Sequence, residues 1–173
     1  MKVIGIDGGA TKVRVIITDP DHVVHSSVED AAVNPKVVGE AVAAQRIQAA
    51  IARALAEAAL QPSDIAAVGV GLAGASEVSA WSRDVVRAVL PDATIAVADD
   101  CEIALIGARG RRHGVVVLAG TGTVACGVND AGALAVAGGW ATSSATKAAA
   151  TGWGRKPCGA ASTPSTASAP QPG

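Results

Sequence analysis

Near the amino terminus, Asp7-Gly8-Gly9-Ala10-Thr11-Lys12 sets a carboxylate, two glycines, a hydroxyl and an ammonium between two β-branched runs, Val3 to Ile6 and Val13 to Thr18. Glycine lacks a Cβ, so its backbone can take positive φ and bring N–H groups close to a phosphate oxygen. Thr11 adds a hydroxyl donor and Lys12 a positive charge. Asp7, at a strand end, suits a hydrated Mg2+, which keeps several waters and takes one or two carboxylates. The same string is also an Asp-Gly-Gly hairpin turn that needs no ligand. Taken alone, it leaves both readings open.

A second string of this kind, Gly120-Thr121-Gly122-Thr123, lies between the apolar runs Val115 to Ala119 and Val124 to Val128. Two such turns facing each other across a cleft can hold a polyphosphate from both sides, a more specific signal than either turn alone. Asp99-Asp100 closes the run Thr94 to Ala98 and opens a helical segment. By itself that pair reads as the cap of the helix. His22, His25 and His113 lie in or near turns without metal-ligand spacing and read as solvated surface residues. Arg109, Arg111 and Arg112 suit a helix end, where cations meet the dipole, and Cys101 and Cys126 read as small core residues.

The elements that must position these residues follow from periodicity. Residues 3 to 18 form a hairpin, Asp19-Pro20-Asp21 turns the chain, and Val23 to Ser27 adds a third strand, an antiparallel meander. Asn34-Pro35 breaks the chain, and from Val38 to Leu60 the apolar residues Val42, Ile47, Ile51, Leu55 and Ala58 predict one long amphipathic helix. Ile65 to Leu72 is a nearly continuous apolar run, which predicts a strand buried on both faces. Helices are predicted over Val78 to Leu90 and Glu102 to Ala108, with the strand Thr94 to Ala98 between them. The order βββαβαβα is that of a mixed α/β sheet with helices on its faces. Val115 to Ala119, Val124 to Val128 and Ala133 to Ala137 then begin a second meander with its own glycine-threonine turn, an internal repeat of strand, glycine turn and strand.

Composition excludes several function classes. The chain has 173 residues, room for one sizeable domain or a domain and part of another, with 50% hydrophobic and 17% charged residues to build a core. A net charge of −1 gives no basic footprint for nucleic acid, and 2% aromatics, with no Phe or Tyr, leave no stacking platform for bases. Cys101, Cys126 and Cys158 fit neither a disulfide framework nor a Cys-x-x-Cys metal site and suit a reducing cytosol. Asp7 interrupts the first apolar run, so no secretory segment forms, and no stretch approaches the ~20 apolar residues of a membrane span. The expectation is a soluble cytoplasmic protein with no nucleic-acid or membrane partner.

Together, Gly5 to Lys12, Gly69-Val70-Gly71-Leu72-Ala73-Gly74, Val97-Ala98-Asp99-Asp100, Leu118 to Thr123 and Gly138-Gly139-Trp140 resemble the sugar kinase, actin and heat-shock-chaperone superfamily of ATPases. Within it the chain is most similar to the BadF/BadG-type ATPase and N-acetylglucosamine kinase family, over residues 1 to 140. One departure is Ala10, where the family usually has a third glycine. The resemblance implies a ribonuclease-H-like, actin-type ATPase lobe plus the start of a second such lobe, and ATP with Mg2+ as cofactors. It implies that Gly8, Gly9, Ala10, Thr11 and Lys12 form the first phosphate motif, with Asp7 near the metal, and Gly120, Thr121, Gly122 and Thr123 the second. It makes Asp100 the catalytic carboxylate that accepts a proton from a sugar hydroxyl, with Asn34, Gly74 and Asp100 at the sugar. The implied activity is ATP-dependent phosphorylation of an amino sugar such as N-acetylglucosamine, with a homodimer in the intact family form. The alternatives are an ATPase that activates a CoA-ester reductase or dehydratase, and a non-catalytic nucleotide- or sugar-binding module.

After Trp140 the composition turns to Ala, Ser, Thr, Pro and Gly with almost no branched aliphatics, which cannot offset ordering entropy. In the family, Gly-Gly-Trp is normally followed by a loop resembling Gly-His-Leu-Leu-Gly-Asp-Glu-Gly-Ser-Gly-Tyr-Trp. If one nucleotide is restored after the Trp140 codon, the first two bases of each observed codon become the last two of a restored one. With permitted third bases, Ala141 to Gly154 then read as that loop followed by Leu-Gly. The expected organisation is a first lobe over residues 1–112, the first strands of a second lobe over 113–140, and a disordered, frame-shifted tail over 141–173. Such a chain lacks most of the second lobe, with its adenosine-binding half, and is expected to be weakly active or inactive.

Overall fold

The computed structural model describes residues 1–72, 75–119 and 123–138. Strands β1 (Lys2–Gly8), β2 (Lys12–Thr18) and β3 (Val24–Ala31) form the antiparallel meander, and β4 (Ile65–Leu72) and β5 (Thr94–Ala98) add in parallel to β1. The sheet order is β3-β2-β1-β4-β5. Because β2 alone runs antiparallel to its neighbours in this sheet, β1, β3, β4 and β5 all end at the same edge.

Alternation along the strands separates two faces. Ile4 and Ile6 of β1, Val13 and Val15 of β2, and Val68 and Val70 of β4 are at most 2% exposed and form the core face. Helix α2 (Glu40–Glu57) packs on it with Ala43, Ile47, Ala50, Ile51, Ala54 and Leu55, and α3 (Ala75–Arg87) adds Val85 and Val86. The long helix expected over Val38 to Leu60 is α2, Glu40–Glu57, and a short helix precedes it. Asn34 and Pro35 start α1 (Pro35–Val38), and Gly39, at φ +83°, ends it before α2 begins. Within α2 the expected Ile47, Ile51 and Leu55 are buried, whereas Val42 is exposed and Ala43, four residues before Ile47, is buried in its place. The chain leaves α2 at Ala58 and passes Ala59 at φ +54°, which ends the helix short of Leu60.

The expectation that Ile65 to Leu72 is buried on both faces is corrected. Val68, Val70 and Leu72 are buried, whereas Ala66 and Gly69 face outward and are exposed. The outer face is covered at Gly71, where Ile103 of α4 (Asp100–Arg109) sits so close that a Cβ would meet its Cγ1 at 2.7 Å. Gly5 and Gly69, one row back, have nothing within 4 Å on that side.

Helix α4 also packs on the second sheet, β6 (Gly114–Ala119), β7 (Thr123–Val128) and β8 (Leu134–Gly138), an antiparallel meander in that order. Cys101 and Leu105 of α4 bury against Cys126 and Val128 of β7, and the Cys101 thiol hydrogen-bonds that of Cys126. Burial pushes the Cys101 thiol up to about 12, so it is an inert core thiol. Glu102, 8% exposed, is held by Arg112 in the turn that follows the helix. Elsewhere this sheet is open: Val115, Val117, Leu134 and Val136 are all exposed. His25 is not a free surface residue, since its Nε2 lies 2.9 Å from Asp19 Oδ2 and 2.6 Å from Lys2 Nζ. Among the described residues, no helix is long and apolar enough to cross a membrane.

Candidate functional site

The edge where β1, β3, β4 and β5 end gathers the residues singled out in sequence. In open α/β sheets, the crevice beyond the carboxyl ends of the strands is the usual ligand site. Asp7 and Gly8 end β1, Asn34 follows β3, and Asp99-Asp100 follow β5. Gly74, expected at the sugar, follows β4 and lies outside the described residues.

The hairpin turn is closed by the Gly9 N–H, which donates to the Lys12 carbonyl at 2.9 Å. Gly8 serves space rather than φ. Neither Gly8 nor Gly9 is among the residues with positive φ, but a Cβ on Gly8 would run into Leu72 Cδ2 and come within 2.8 Å of Val33 Cγ2. Ala10 likewise avoids positive φ and is exposed, so the missing third glycine costs the turn nothing in backbone conformation.

Val33 does a second job, because its N–H donates to the Gly9 carbonyl at 3.2 Å and pins the turn to the segment after β3. That contact positions Asn34. Its Oδ1 caps α1 by accepting the Lys36 N–H at 2.9 Å, which leaves the amide nitrogen as the group that can face a hydroxyl.

Asp99 occupies the N-cap of α4, its carbonyl accepting from the N–H groups of Glu102 and Ile103. Asp100 is the first helical residue, half-buried, with Oδ1 accepting the Cys101 N–H at 2.8 Å. Asp99 thus holds the N-cap position through its backbone, without a capping hydrogen bond from its side chain, and Asp100 is offered at the helix start.

Asp7 is exposed on the outer face, opposite Arg14 in register. Lys12 and Arg14 share that face, and both are engaged by Glu29 of β3. The two cations hold the Glu29 carboxyl below its usual value, the Arg14 hydrogen bond contributing most and Lys12 next. Sequence reasoning missed Arg14 and Glu29. Alternation in β2 already places Arg14 on the face of Asp7, but Glu29 lies beyond the expected end of β3 at Ser27. Thr123 opens β7, exposed, while Gly120, Thr121 and Gly122 lie outside the described residues.

For Mg2+, the donor set fits an ion that arrives with phosphate. Among the described residues, no three His, Cys, Asp or Glu side chains gather into a metal cage. One exposed strand-end carboxylate, Asp7, matches an ion that takes one or two carboxylates plus phosphate oxygens and water.

Comparison with known proteins bears on family and fold. The BadF/BadG/BcrA/BcrD ATPase family matches residues 4–163, further than the 140 that the motifs reach. An N-acetylmuramic acid/N-acetylglucosamine kinase of Clostridium acetobutylicum is 32% identical over 140 residues, covering 80% of this chain and 46% of that protein. A glucosamine kinase of Vibrio cholerae is 32% identical over 127 residues, 72% of this chain and 42% of its own. The chain thus spans a little under half the length of these relatives. Among solved structures, a protein assigned as an N-acetylglucosamine kinase from Chromobacterium violaceum superposes with a TM-score of 0.65 at 26% identity, over 81% of this chain and 49% of its own. A glucokinase of the ROK family from Streptomyces griseus shares the fold, with a TM-score of 0.56 at 21% identity over 78% of this chain and 46% of its own.

Proposed function

The chain belongs to the BadF/BadG/BcrA/BcrD ATPase family, and from that premise we propose that it carries the first phosphate motif and the base of an ATP-dependent amino-sugar kinase. The observation that carries this reading is the convergence of Asp7 to Lys12, Asn34 and Asp100 on the one sheet edge where four strands end. Its two curated relatives are kinases of amino sugars.

In this reading the backbone N–H groups of the turn, the Thr11 hydroxyl and the Lys12 ammonium bind the nucleotide phosphates. The Asn34 amide donates to a sugar hydroxyl. Asp100 accepts the proton of the attacking hydroxyl as its oxygen meets the γ-phosphorus, and its place at a helix start keeps it oriented for that transfer. Mg2+, when bound, neutralises phosphate charge, and Asp7 would hold it. The strands around Gly120 to Thr123 repeat the first hairpin, which supports that turn as the second phosphate motif.

The test sets binding of N-acetylglucosamine and of ADP, measured by calorimetry, beside a sugar-dependent ADP-release assay. Lys12→Met is expected to weaken nucleotide binding, and Asp100→Asn to remove any sugar-dependent ADP release that the wild-type chain shows while sugar binding persists. Sugar and nucleotide binding that neither substitution alters would overturn the assignment. An iron–sulfur absorbance in the purified protein would favour the CoA-ester reductase or dehydratase activator instead.

The boundaries 1–112, 113–140 and 141–173 remain our proposal for the organisation of the chain, with 141–173 read out of frame. The rival is a divergent in-frame continuation. The coding DNA from codon 138 onward decides between them. Codons that cannot be re-read as the family loop would end the frame-shift idea.

A further inference from the structure

A single carboxylate holds Lys12 and Arg14 of the first hairpin. Glu29 Oε1 accepts from Lys12 Nζ at 3.1 Å and from Arg14 Nε at 2.8 Å, with Arg14 Nη2 on the same oxygen. The register explains the geometry, because Arg14 lies directly opposite Glu29 and Lys12 lies opposite Ala31, two residues along. Strand alternation puts Lys12, Arg14 and Glu29 on the face that also carries Asp7.

The two bonds are not equivalent. Arg14 meets its cross-strand partner with two nitrogens of a planar fork, whereas Lys12 reaches across the diagonal with a compact ammonium on a flexible stem. The Lys12 side chain is 57% exposed and that of Glu29 44%, so their pair is screened by water and easily broken. Asp7, Lys12, Arg14 and Glu29 together carry no net charge. An anion arriving at the turn therefore meets a neutral cluster and must compete for Lys12.

We propose that Glu29 is the resident counter-ion of the phosphate hairpin: a polyphosphate takes Lys12 from it, while Arg14 keeps the carboxylate anchored on the sheet. This rests on reading the hairpin as a phosphate grip, and it adds Glu29 as the residue that sets the strength of that grip. The Glu29 carboxyl, held below its usual value, stays ionised throughout the neutral range, so the competition is always present.

The experiment titrates the 173-residue chain with inorganic pyrophosphate at low salt, as wild type, Glu29→Gln, Lys12→Met and the double variant. Circular dichroism checks that each is folded, and Glu29→Asp, which withdraws the carboxylate from Lys12 but keeps it near Arg14, serves as a milder substitution. Glu29→Gln is expected to tighten binding about fivefold, the effect of one unit charge at contact distance in a water-like dielectric. The gain shrinks as salt rises and disappears when Lys12 is Met. Unchanged or weaker binding in Glu29→Gln and Glu29→Asp, with wild-type binding still dependent on Lys12, would overturn the counter-ion role alone. A gain that survives in the Lys12→Met background would overturn it too, since bulk charge would then explain the effect. Binding that does not depend on Lys12 in any variant would overturn the phosphate-grip reading and this proposal with it.

Discussion

At the scale of single residues, the hairpin shows that a glycine can be required for what touches it rather than for its dihedral angle. Gly8 sits against Leu72 and Val33, both buried, so a methyl group there forces packed side chains apart. Gly8→Ala is expected to lower stability by about 1–3 kcal/mol, the usual cost of overpacking, and to loosen the tie between the turn and Asn34. Ala10→Gly, at an exposed position that avoids positive φ, is expected to lower it by less than about 1 kcal/mol through chain entropy alone. Thermal melts of the two variants check the contrast, and equal effects would contradict it. The sequence alone identifies Gly8 as special but does not show these contacts, because Leu72 is brought to it by strand pairing and Val33 by its hydrogen bond to the Gly9 carbonyl.

At the scale of elements, the meander is tied at the end remote from the site. Asp19, in the β2–β3 turn, accepts from His25 of β3 and from the N–H groups of Val23 and Asp21, with Lys2 of β1 3.5 Å away. These contacts, the His25 hydrogen bond first, lower the Asp19 carboxyl from 3.8 to about 2. A depressed carboxylate contributes stability above its unfolded value that is lost as pH falls through its folded value. Wild type is therefore expected to lose stability between about pH 4 and 2, whereas Asp19→Asn is already weaker at pH 5 and changes less over that window. Melts at a series of pH values test this, and parallel acid limbs would refute it. The strands themselves were legible in sequence, and β4 and β5 stand where their apolar runs placed them. Helix α2 was legible in type and in its inward stripe of Ile47, Ile51 and Leu55, while its start was not, because Gly39 at positive φ separates it from a short helix before it.

At the scale of the whole molecule, the chain spans under half the length of its curated relatives and leaves apolar surface open on the second sheet. Val117 of β6 and Val136 of β8 are 56% and 54% exposed, and β8 is an edge strand of the described sheet without a charged residue. Such edges pair with other chains. The 173-residue protein is expected to self-associate at micromolar concentration, and Val136→Lys to reduce that association with little change in its melting temperature. Light scattering reads the first effect and calorimetry the second. Equal scattering by both proteins would place the sticky surface elsewhere.

By itself the sequence determined the residue types available for chemistry at the strand ends and the kind and order of the strands and helices. These are local properties, carried by residue type, spacing and period. The tertiary structure alone decided the pairings: Val33 on Gly8, Ile103 on Gly71, and Glu29 on Lys12 and Arg14. Each of these depends on the register between segments far apart in the chain. A shift of one residue in that register would send every side chain of a strand to the opposite face.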